Sequence, residues 1–255
     1  MPGMYVFPGG KVASEDADVD SFKGYLDVEF DKRIPGNNCL IEHGIAAIRE
    51  TFEEAGVLLA FNESAYESGL KKACDLRLNG RLERNWLIEL VINGRWVLSL
   101  SALFPWSHWI TPSRMPMRFD TRFFLALMPP QQTCHPDNKE TTVGKWVSPL
   151  KGLEENLEGK TPLSPPAIVT LWQLSGYRDI SNLEQDLKKR SWEAPLRPRM
   201  IDLPQGALIL EPWDSMIDRD FQPDQDFLRG KVAAPGEEFS RLRYHEGRWL
   251  PVSVQ

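Results

Sequence analysis

Three glutamates in one short segment, Glu50, Glu53 and Glu54, have the residue type and spacing best suited to chemistry. In a helix, Glu50 and Glu54 lie one turn apart on the same face, with Glu53 beside them. Carboxylates packed this closely repel one another unless a positive charge lies between them. A hard divalent cation, which prefers oxygen ligands, would supply that charge. A solvated acidic helix face is the alternative interpretation, because runs of charge usually face water.

The residues around these glutamates favour the chemical interpretation. Arg49 can hold one carboxylate in a forked pair and fix its direction. Phe52 points to the opposite, core-facing side, and Gly56 lets the chain turn where the helix ends. Upstream, the segment 8–10 reads Pro-Gly-Gly, which is typical of a tight loop.

The segment 49–57 resembles the second half of the Nudix box, G-x5-E-x7-R-E-U-x-E-E-x-G-U, although Thr51 replaces an aliphatic residue U. Gly10 resembles the leading glycine of that box. Gly10 and Arg49 are 39 positions apart where the box has 14, so 25 extra residues split it. If the insertion follows Asp16, then Asp16 occupies the position of the first glutamate of the box, counted from Gly10. Glu42 is the alternative when the position is counted back from Arg49, although it lies one residue away from the expected position.

A box split by a long insertion, here about residues 11–40, resembles the branch of the Nudix hydrolases that includes the peroxisomal coenzyme A diphosphatase of animals. The segments 47–59, 109–112 and 118–124 are also similar to that branch. The resemblance covers roughly residues 1–160, which we predict to be the Nudix domain. It implies an α/β Nudix fold, with a mixed β-sheet sandwiched between α-helices. Residues 161–255 are predicted to form a helical and β-hairpin extension at the C-terminus.

The resemblance also implies a role for each matching residue. The ligands of Mg²⁺ or Mn²⁺ would be Glu50, Glu53, Glu54, the backbone carbonyl of Gly9, and Glu140, which lies six residues before Trp146. The catalytic groups would be Glu53, Glu54, Glu140 and Arg49, with Glu140 as a further ligand or a general base. A solvated loop carboxylate is the alternative for Glu140.

Substrate-binding residues are expected from two further segments. Arg118 and Arg122 share a face of a predicted strand over 118–128 and would bind phosphate; a surface ion pair is the equal alternative. Trp106 and Trp109 are candidates to stack on an adenine ring, although such clusters more often belong to a core.

Apolar periodicity and capping signals predict the elements that position these residues. Helices are predicted over 42–59, 64–78, 81–92, 149–157, 165–175 and 181–189, with Ser181 as the cap of the last. Ile45, Ile48, Phe52 and Ala55 would form the buried face of the first helix. Strands are predicted over 4–7, 98–110, 118–128, 143–147, 200–203, 207–210, 239–244 and 249–252. The polar insertion is predicted to lie on the surface.

Composition restricts the partners and the compartment. The 255 residues carry a net charge of −6, which argues against a general nucleic-acid or anionic-membrane binder. Three cysteines with no C-x-x-C pair indicate reduced thiols, and we predict a cytoplasmic location. No apolar run is long enough to span a bilayer, and no secretory signal is visible. Because only residues 1–6 precede Phe7, we expect that the start of the fold is truncated.

The sequence therefore predicts a metal-dependent hydrolase of a diphosphate linkage in a small nucleoside diphosphate derivative. The resemblance of the split box alone implies coenzyme A or acyl-coenzyme A as the first choice, giving 3′,5′-ADP and 4′-phosphopantetheine or its acyl form. ADP-ribose, dinucleotides and NTPs are alternatives. A Nudix-derived module that binds a nucleotide without turnover is the alternative from another class. The C-terminal extension could serve as a homodimer contact or as a lid, and the sequence leaves both open.

Overall fold

The computed structural model describes residues 3–27, 38–62, 66–115, 117–136, 143–204, 206–219 and 230–253, with only the backbone at 38 and 39. Its helices are α1 (Ser14–Ala17), α2 (Asn38–Ala55), α3 (Tyr66–Leu78), α4 (Trp86–Gly94), α5 (Pro149–Leu157), α6 (Pro165–Ser175) and α7 (Ile180–Leu187). Short 3₁₀ turns lie at Val19–Phe22 and Leu100–Ala102. No helix among these residues is long and apolar enough to cross a membrane.

The strands in the described part of the chain form three sheets. They are β1 (Ala60–Phe61), β2 (Val97–Leu98), β3 (Phe104–Ile110), β4 (Asp120–Leu125), β5 (Arg199–Leu203), β6 (Gly206–Leu210), β7 (Lys231–Val232), β8 (Arg241–His245) and β9 (Arg248–Ser253). β1 pairs with β2, β3 pairs with β4, and the largest sheet has the order β5-β6-β8-β9-β7. That five-stranded sheet is antiparallel throughout and lies in residues 199–253, within the predicted C-terminal extension.

The chain divides into two compact units that alternate along the sequence. The carboxylate unit comprises Pro8–Pro105 and Phe124–Lys145, and the C-terminal unit comprises Met1–Phe7, Trp106–Phe123 and Trp146–Gln255. The sequence-based division places a single boundary near residue 160. That boundary, as the limit of a family domain, stays a prediction.

Helix α2 is the central element of the carboxylate unit. Ile45, Ile48 and Phe52 are fully buried and Ala55 nearly so, as the apolar spacing predicts. The helix ends at Ala55, because Gly56 adopts a left-handed backbone with φ of 73°. Glycine pays no steric penalty in that conformation. The predicted stop at Gly56 is therefore confirmed, and the helix ends at Ala55, four residues before the end of the predicted range 42–59.

The C-terminal unit packs helices α5 and α6 with the five-stranded sheet. The α6 residues Ile168 and Val169 and the β8 residue Leu242 are fully buried in one core cluster. Asn156, also fully buried, joins this unit by donating to the carbonyl of Trp249 at 2.8 Å and accepting from the Leu163 amide at 2.9 Å. Unmade bonds at such buried groups would be costly.

Several local predictions are wrong in detail. The segment 143–147 contains no strand, and Met4–Phe7 contributes one bridge, between Tyr5 and Leu163. Helix α7 is capped by Asp179, whose side chain accepts from the Asn182 amide at 2.8 Å, two residues before the predicted cap. The insertion does not lie wholly on the surface, because Phe22 is buried.

Candidate metal-dependent active site

Arg49 is the centre of the candidate site. Its Nε donates to both carboxylate oxygens of Asp16, at 2.9 and 3.1 Å, and its Nη2 donates to Asp16 Oδ2 at 2.9 Å. Nη2 also lies 2.9 Å from Glu50 Oε1, and Nη1 lies 3.0 Å from Glu53 Oε2. Burial alone would lower the pKa of Arg49, but the hydrogen bonds and charge of Asp16, helped by the two glutamates, raise it overall. The guanidinium therefore stays charged and fixes the carboxylates around it.

Asp16 is almost completely buried, at 1% exposure, although it belongs to the insertion. Its Oδ2 also accepts from the Ala13 amide at 2.8 Å, which holds the short helix α1 against Arg49. Glu42, the alternative for the first glutamate of the box, lies on helix α2 itself, about two turns before Arg49. Of the two candidates, the structure brings Asp16 to the arginine.

Glu50 is packed against the loop glycine. A Cβ atom added at Gly10 would lie 2.1 Å from Glu50 Oε1, so only a glycine leaves room for this carboxylate. Desolvation raises the pKa of Glu50, and the nearby charges of Glu53 and Asp16 add to that effect while Arg49 opposes it. Burial therefore disfavours the ionised form of Glu50 more than Arg49 stabilises it, and a bound cation would stabilise that form.

The other two glutamates are held by different donors. Glu53 Oε1 accepts from the indole Nε1 of Trp86 at 2.6 Å, while Oε2 pairs with Arg49. Glu54 Oε2 accepts from the backbone amide of Gly9 at 3.1 Å. Gly9 thus contacts a carboxylate through its N–H, whereas the sequence-based prediction gives a role to its carbonyl oxygen, and that role stays a prediction.

Arg49, Glu50, Glu53 and Glu54 line one cavity of about 400 Å³. Its lining is rich in ionic side chains of both signs, namely Glu15, Glu50, Glu53, Glu54, Glu83, Arg49, Arg77 and Arg84. Over the described ranges, no three His, Cys, Asp or Glu side chains already form a group that could hold a metal ion. The available donors are nonetheless all carboxylate oxygens, and burial raises the pKa of Glu50, so a bound cation would stabilise its ionised form. In donor chemistry the cavity fits a hard divalent cation.

Arg77, which the sequence analysis did not single out, clamps the end of helix α2. Its Nε donates to the carbonyl of Glu53 at 2.9 Å, and its Nη2 donates to the carbonyls of Glu54 at 2.9 Å and His135 at 2.7 Å. A Cβ at Gly56 would come within 3.0 Å of Arg77 Nη1. Gly56 therefore both ends the helix and admits the arginine that satisfies its last carbonyls.

The four predicted substrate-binding residues belong to the C-terminal unit. Strand β4 begins at Asp120, so Arg118 precedes it and the shared strand face predicted for Arg118 and Arg122 is wrong. Arg118 Nε donates to the Thr111 carbonyl at 3.3 Å, and Arg122 pairs with Asp120 at 2.9 Å. The ion-pair alternative therefore describes Arg122 in this structure.

Both predicted stacking tryptophans are buried. Trp106 is 6% exposed, and the guanidinium of Arg190 lies 4.1 Å from the centre of its ring. Trp109 is 5% exposed in the core cluster of the C-terminal unit and donates to Ser107 Oγ at 3.0 Å. Their burial favours the core interpretation over contact with an adenine ring. Glu140 lies outside the described residues, so its predicted role stays a prediction.

The family model described as "NUDT19 Nudix domain" matches residues 22–174, more than half of the chain. The chain therefore belongs to the Nudix hydrolases, in the family of the NUDT19 Nudix domain, and is a pyrophosphohydrolase by class. The match begins after Gly10 and Asp16, so these two assignments rest on the geometry described above.

Curated relatives agree with that family. The chain is 27% identical over 292 residues to "Acyl-coenzyme A diphosphatase NUDT19" of Xenopus laevis, covering 98% of this chain and 76% of that protein. It is 26% identical over 307 residues to the Homo sapiens protein of the same name, covering 100% and 80%. A crystal structure of a Nudix hydrolase from Alicyclobacillus acidocaldarius aligns with a TM-score of 0.50 and 23% identity, over 76% of this chain and 84% of that one. This structural likeness supports the α/β Nudix fold.

Proposed function

We propose that this protein hydrolyses the diphosphate linkage of coenzyme A or acyl-coenzyme A, and that Glu50, Glu53 and Glu54 bind the required Mg²⁺ or Mn²⁺. The observation that carries the proposal is the cavity in which Arg49, paired with Asp16, holds two of these three carboxylates. The names of the relatives, acyl-coenzyme A diphosphatases, support the choice of substrate.

The reaction adds water to one phosphorus of the diphosphate and breaks the bridging P–O bond. From coenzyme A it yields 3′,5′-ADP and 4′-phosphopantetheine. The bound divalent ion would neutralise phosphate charge and lower the pKa of the attacking water. The protein's part is to hold the carboxylates in place: Arg49 orients Glu50 and Glu53, and the Gly9 amide orients Glu54. Glu54, which lines the cavity, or Glu140, the base that the sequence predicts, would accept the proton of that water.

The proposal is tested by turnover of a substrate panel with and without Mg²⁺ or Mn²⁺. The panel comprises coenzyme A, acetyl-coenzyme A, ADP-ribose, NADH, diadenosine polyphosphates and NTPs. We expect metal-dependent cleavage of the coenzyme A compounds to be fastest. The variant Glu54→Gln should lose at least about 100-fold in kcat, because it removes the negative charge of the carboxylate. The fold should persist, because the change in volume is small. Glu67→Gln, an isosteric change at an exposed site of α3, should leave kcat unchanged.

Hydrolysis in H₂¹⁸O then locates the attacked phosphorus, because mass spectrometry shows which product carries the label. Faster cleavage of ADP-ribose, dinucleotides or NTPs would reassign the substrate but keep the enzyme class.

A folded protein that binds coenzyme A without cleaving it would support the binding-module alternative. That alternative has one observation in its favour: among the described side chains, the carboxylates bond to protein donors and no group of three already forms a metal site. The predicted cytoplasmic location and homodimer stay predictions.

A further inference from the structure

Trp86 has its polar edge at the carboxylates and its ring in the core. Its Nε1–H donates to Glu53 Oε1 at 2.6 Å, a short bond to an ionised acceptor. The residue is 7% exposed, and its ring lies 4.8 Å from that of Phe52, on the buried face of helix α2. Because core packing fixes the ring, the direction of the N–H is fixed as well.

The two oxygens of Glu53 are thus held from two directions. Trp86, at the start of helix α4, binds Oε1, and Arg49, on helix α2, binds Oε2 at 3.0 Å. Two donors on two oxygens define both the position and the plane of the carboxylate. Each oxygen has a second lone pair, so this arrangement leaves Glu53 able to bind a cation.

An indole suits this task because it donates without carrying charge. A second arginine at this position would hold Glu53 equally well, but it would neutralise the carboxylate and repel a metal ion. Trp86 therefore orients the carboxylate while preserving its charge.

We propose that Trp86 is a positioning residue for the metal site: its indole N–H holds Glu53 in the orientation that binds a divalent cation. This inference rests on the proposed function, since it takes Glu53 as a ligand. Hydrogen-bond partners of metal-binding carboxylates typically contribute about 10- to 100-fold to metal affinity or activity.

The variant Trp86→Phe tests this directly, because it keeps an aromatic ring against Phe52 and removes the donor. We expect Mn²⁺ affinity, measured by EPR on the substrate-free protein, to fall at least about tenfold. We also expect kcat to fall by a similar factor, with a smaller change in KM. Trp96→Phe is the matched control, because Trp96 is a buried tryptophan of the same unit that packs on Tyr66. It should bind Mn²⁺ like the wild type.

A second measurement uses the wild-type protein, so it does not depend on how well the variant folds. Labelling with ¹⁵N-tryptophan gives indole N–H signals for nine tryptophans, and NOE contacts with the ring of Phe52, 4.8 Å away, assign the signal of Trp86. Titration with Mg²⁺ should shift that signal with the midpoint of metal binding. A Trp86 signal that stays unchanged while Mg²⁺ binds would overturn the proposal.

Wild-type Mn²⁺ affinity in a folded Trp86→Phe protein would also overturn it, and would leave the proposed hydrolase intact. If the wild type neither binds Mn²⁺ nor cleaves any substrate, the proposed function fails and this inference fails with it. The two failures are therefore distinguishable from the wild-type data alone.

Discussion

The substitution Gly10→Ala should separate activity from stability. The added Cβ would lie 2.1 Å from Glu50 Oε1, 2.5 Å from its Cδ and 2.8 Å from its Oε2. An ordinary contact between such atoms needs at least about 3.4 Å, so the carboxylate must move by about 1 Å. The obstacle is the flexible end of a side chain rather than backbone, so the fold can accommodate the change.

The functional cost of that displacement should be large. A misplacement of about 1 Å in a catalytic arrangement can cost about 100-fold in rate, which corresponds to about 2.7 kcal/mol of barrier. Glu50 would also lose its 2.9 Å contact with Arg49. We therefore expect kcat/KM for the best diphosphate substrate to fall about 100-fold in Gly10→Ala, with a melting temperature within a few degrees of the wild type.

The control is Gly144→Ala in the same unit, where the new Cβ would lie 3.6 Å from Pro136 Cδ, an ordinary contact. It should keep both activity and stability. Steady-state kinetics and thermal melts of the three proteins decide the matter. A folded Gly10→Ala protein with activity within about threefold of the wild type would refute the reasoning, because the position of Glu50 would then be unimportant.

Two further predictions concern stability. Burial raises the pKa of Glu211 to about 8, and neither of its carboxyl oxygens has a hydrogen-bond partner in the described part of the chain. Between about pH 4.5 and 8 the folded protein keeps this proton and the unfolded chain releases it. The free energy of unfolding therefore falls as pH rises, by as much as about 5 kcal/mol. Urea melts at pH 5 and 8 should show this decline in the wild type and not in Glu211→Gln. Arg77→Met removes the bonds to the carbonyls of Glu53, Glu54 and His135 and should lower the free energy of unfolding by about 2–4 kcal/mol. A urea midpoint equal to that of the wild type would contradict it.

Local rules predicted the helix that carries the glutamates because its signals are local. The apolar spacing of Ile45, Ile48 and Phe52 fixes the buried face, and Gly56 fixes the end. The same rules placed helix α5 at Pro149–Leu157 correctly, since proline is favoured in a first turn.

What the sequence did not predict depends on tertiary contacts. Trp86 and Arg77 reach the glutamates across 33 and 24 positions of sequence, and no spacing rule describes such contacts. The polar composition around Asp16 predicted a surface loop. Asp16 is nevertheless buried, because its pairing with Arg49 offsets the free-energy cost of removing the carboxylate from water. The prediction of a strand over 143–147 was wrong, because a short apolar run does not show whether a partner strand is available to pair with it.

The insertion that splits the box need not disrupt the site, because an ion pair is formed in space rather than along the sequence. Asp16 and Arg49 are 33 positions apart, whereas the box places its first glutamate eight positions before the arginine. Loop-closure entropy grows only with the logarithm of length, so this lengthening costs about 1 kcal/mol. Each hydrogen bond to a charged group contributes about 1.5–3 kcal/mol, and Arg49 Nε and Nη2 both donate to the buried Asp16. The contact energy therefore exceeds the added entropy, and a Nudix box can be split here while its arginine still pairs with an acidic residue.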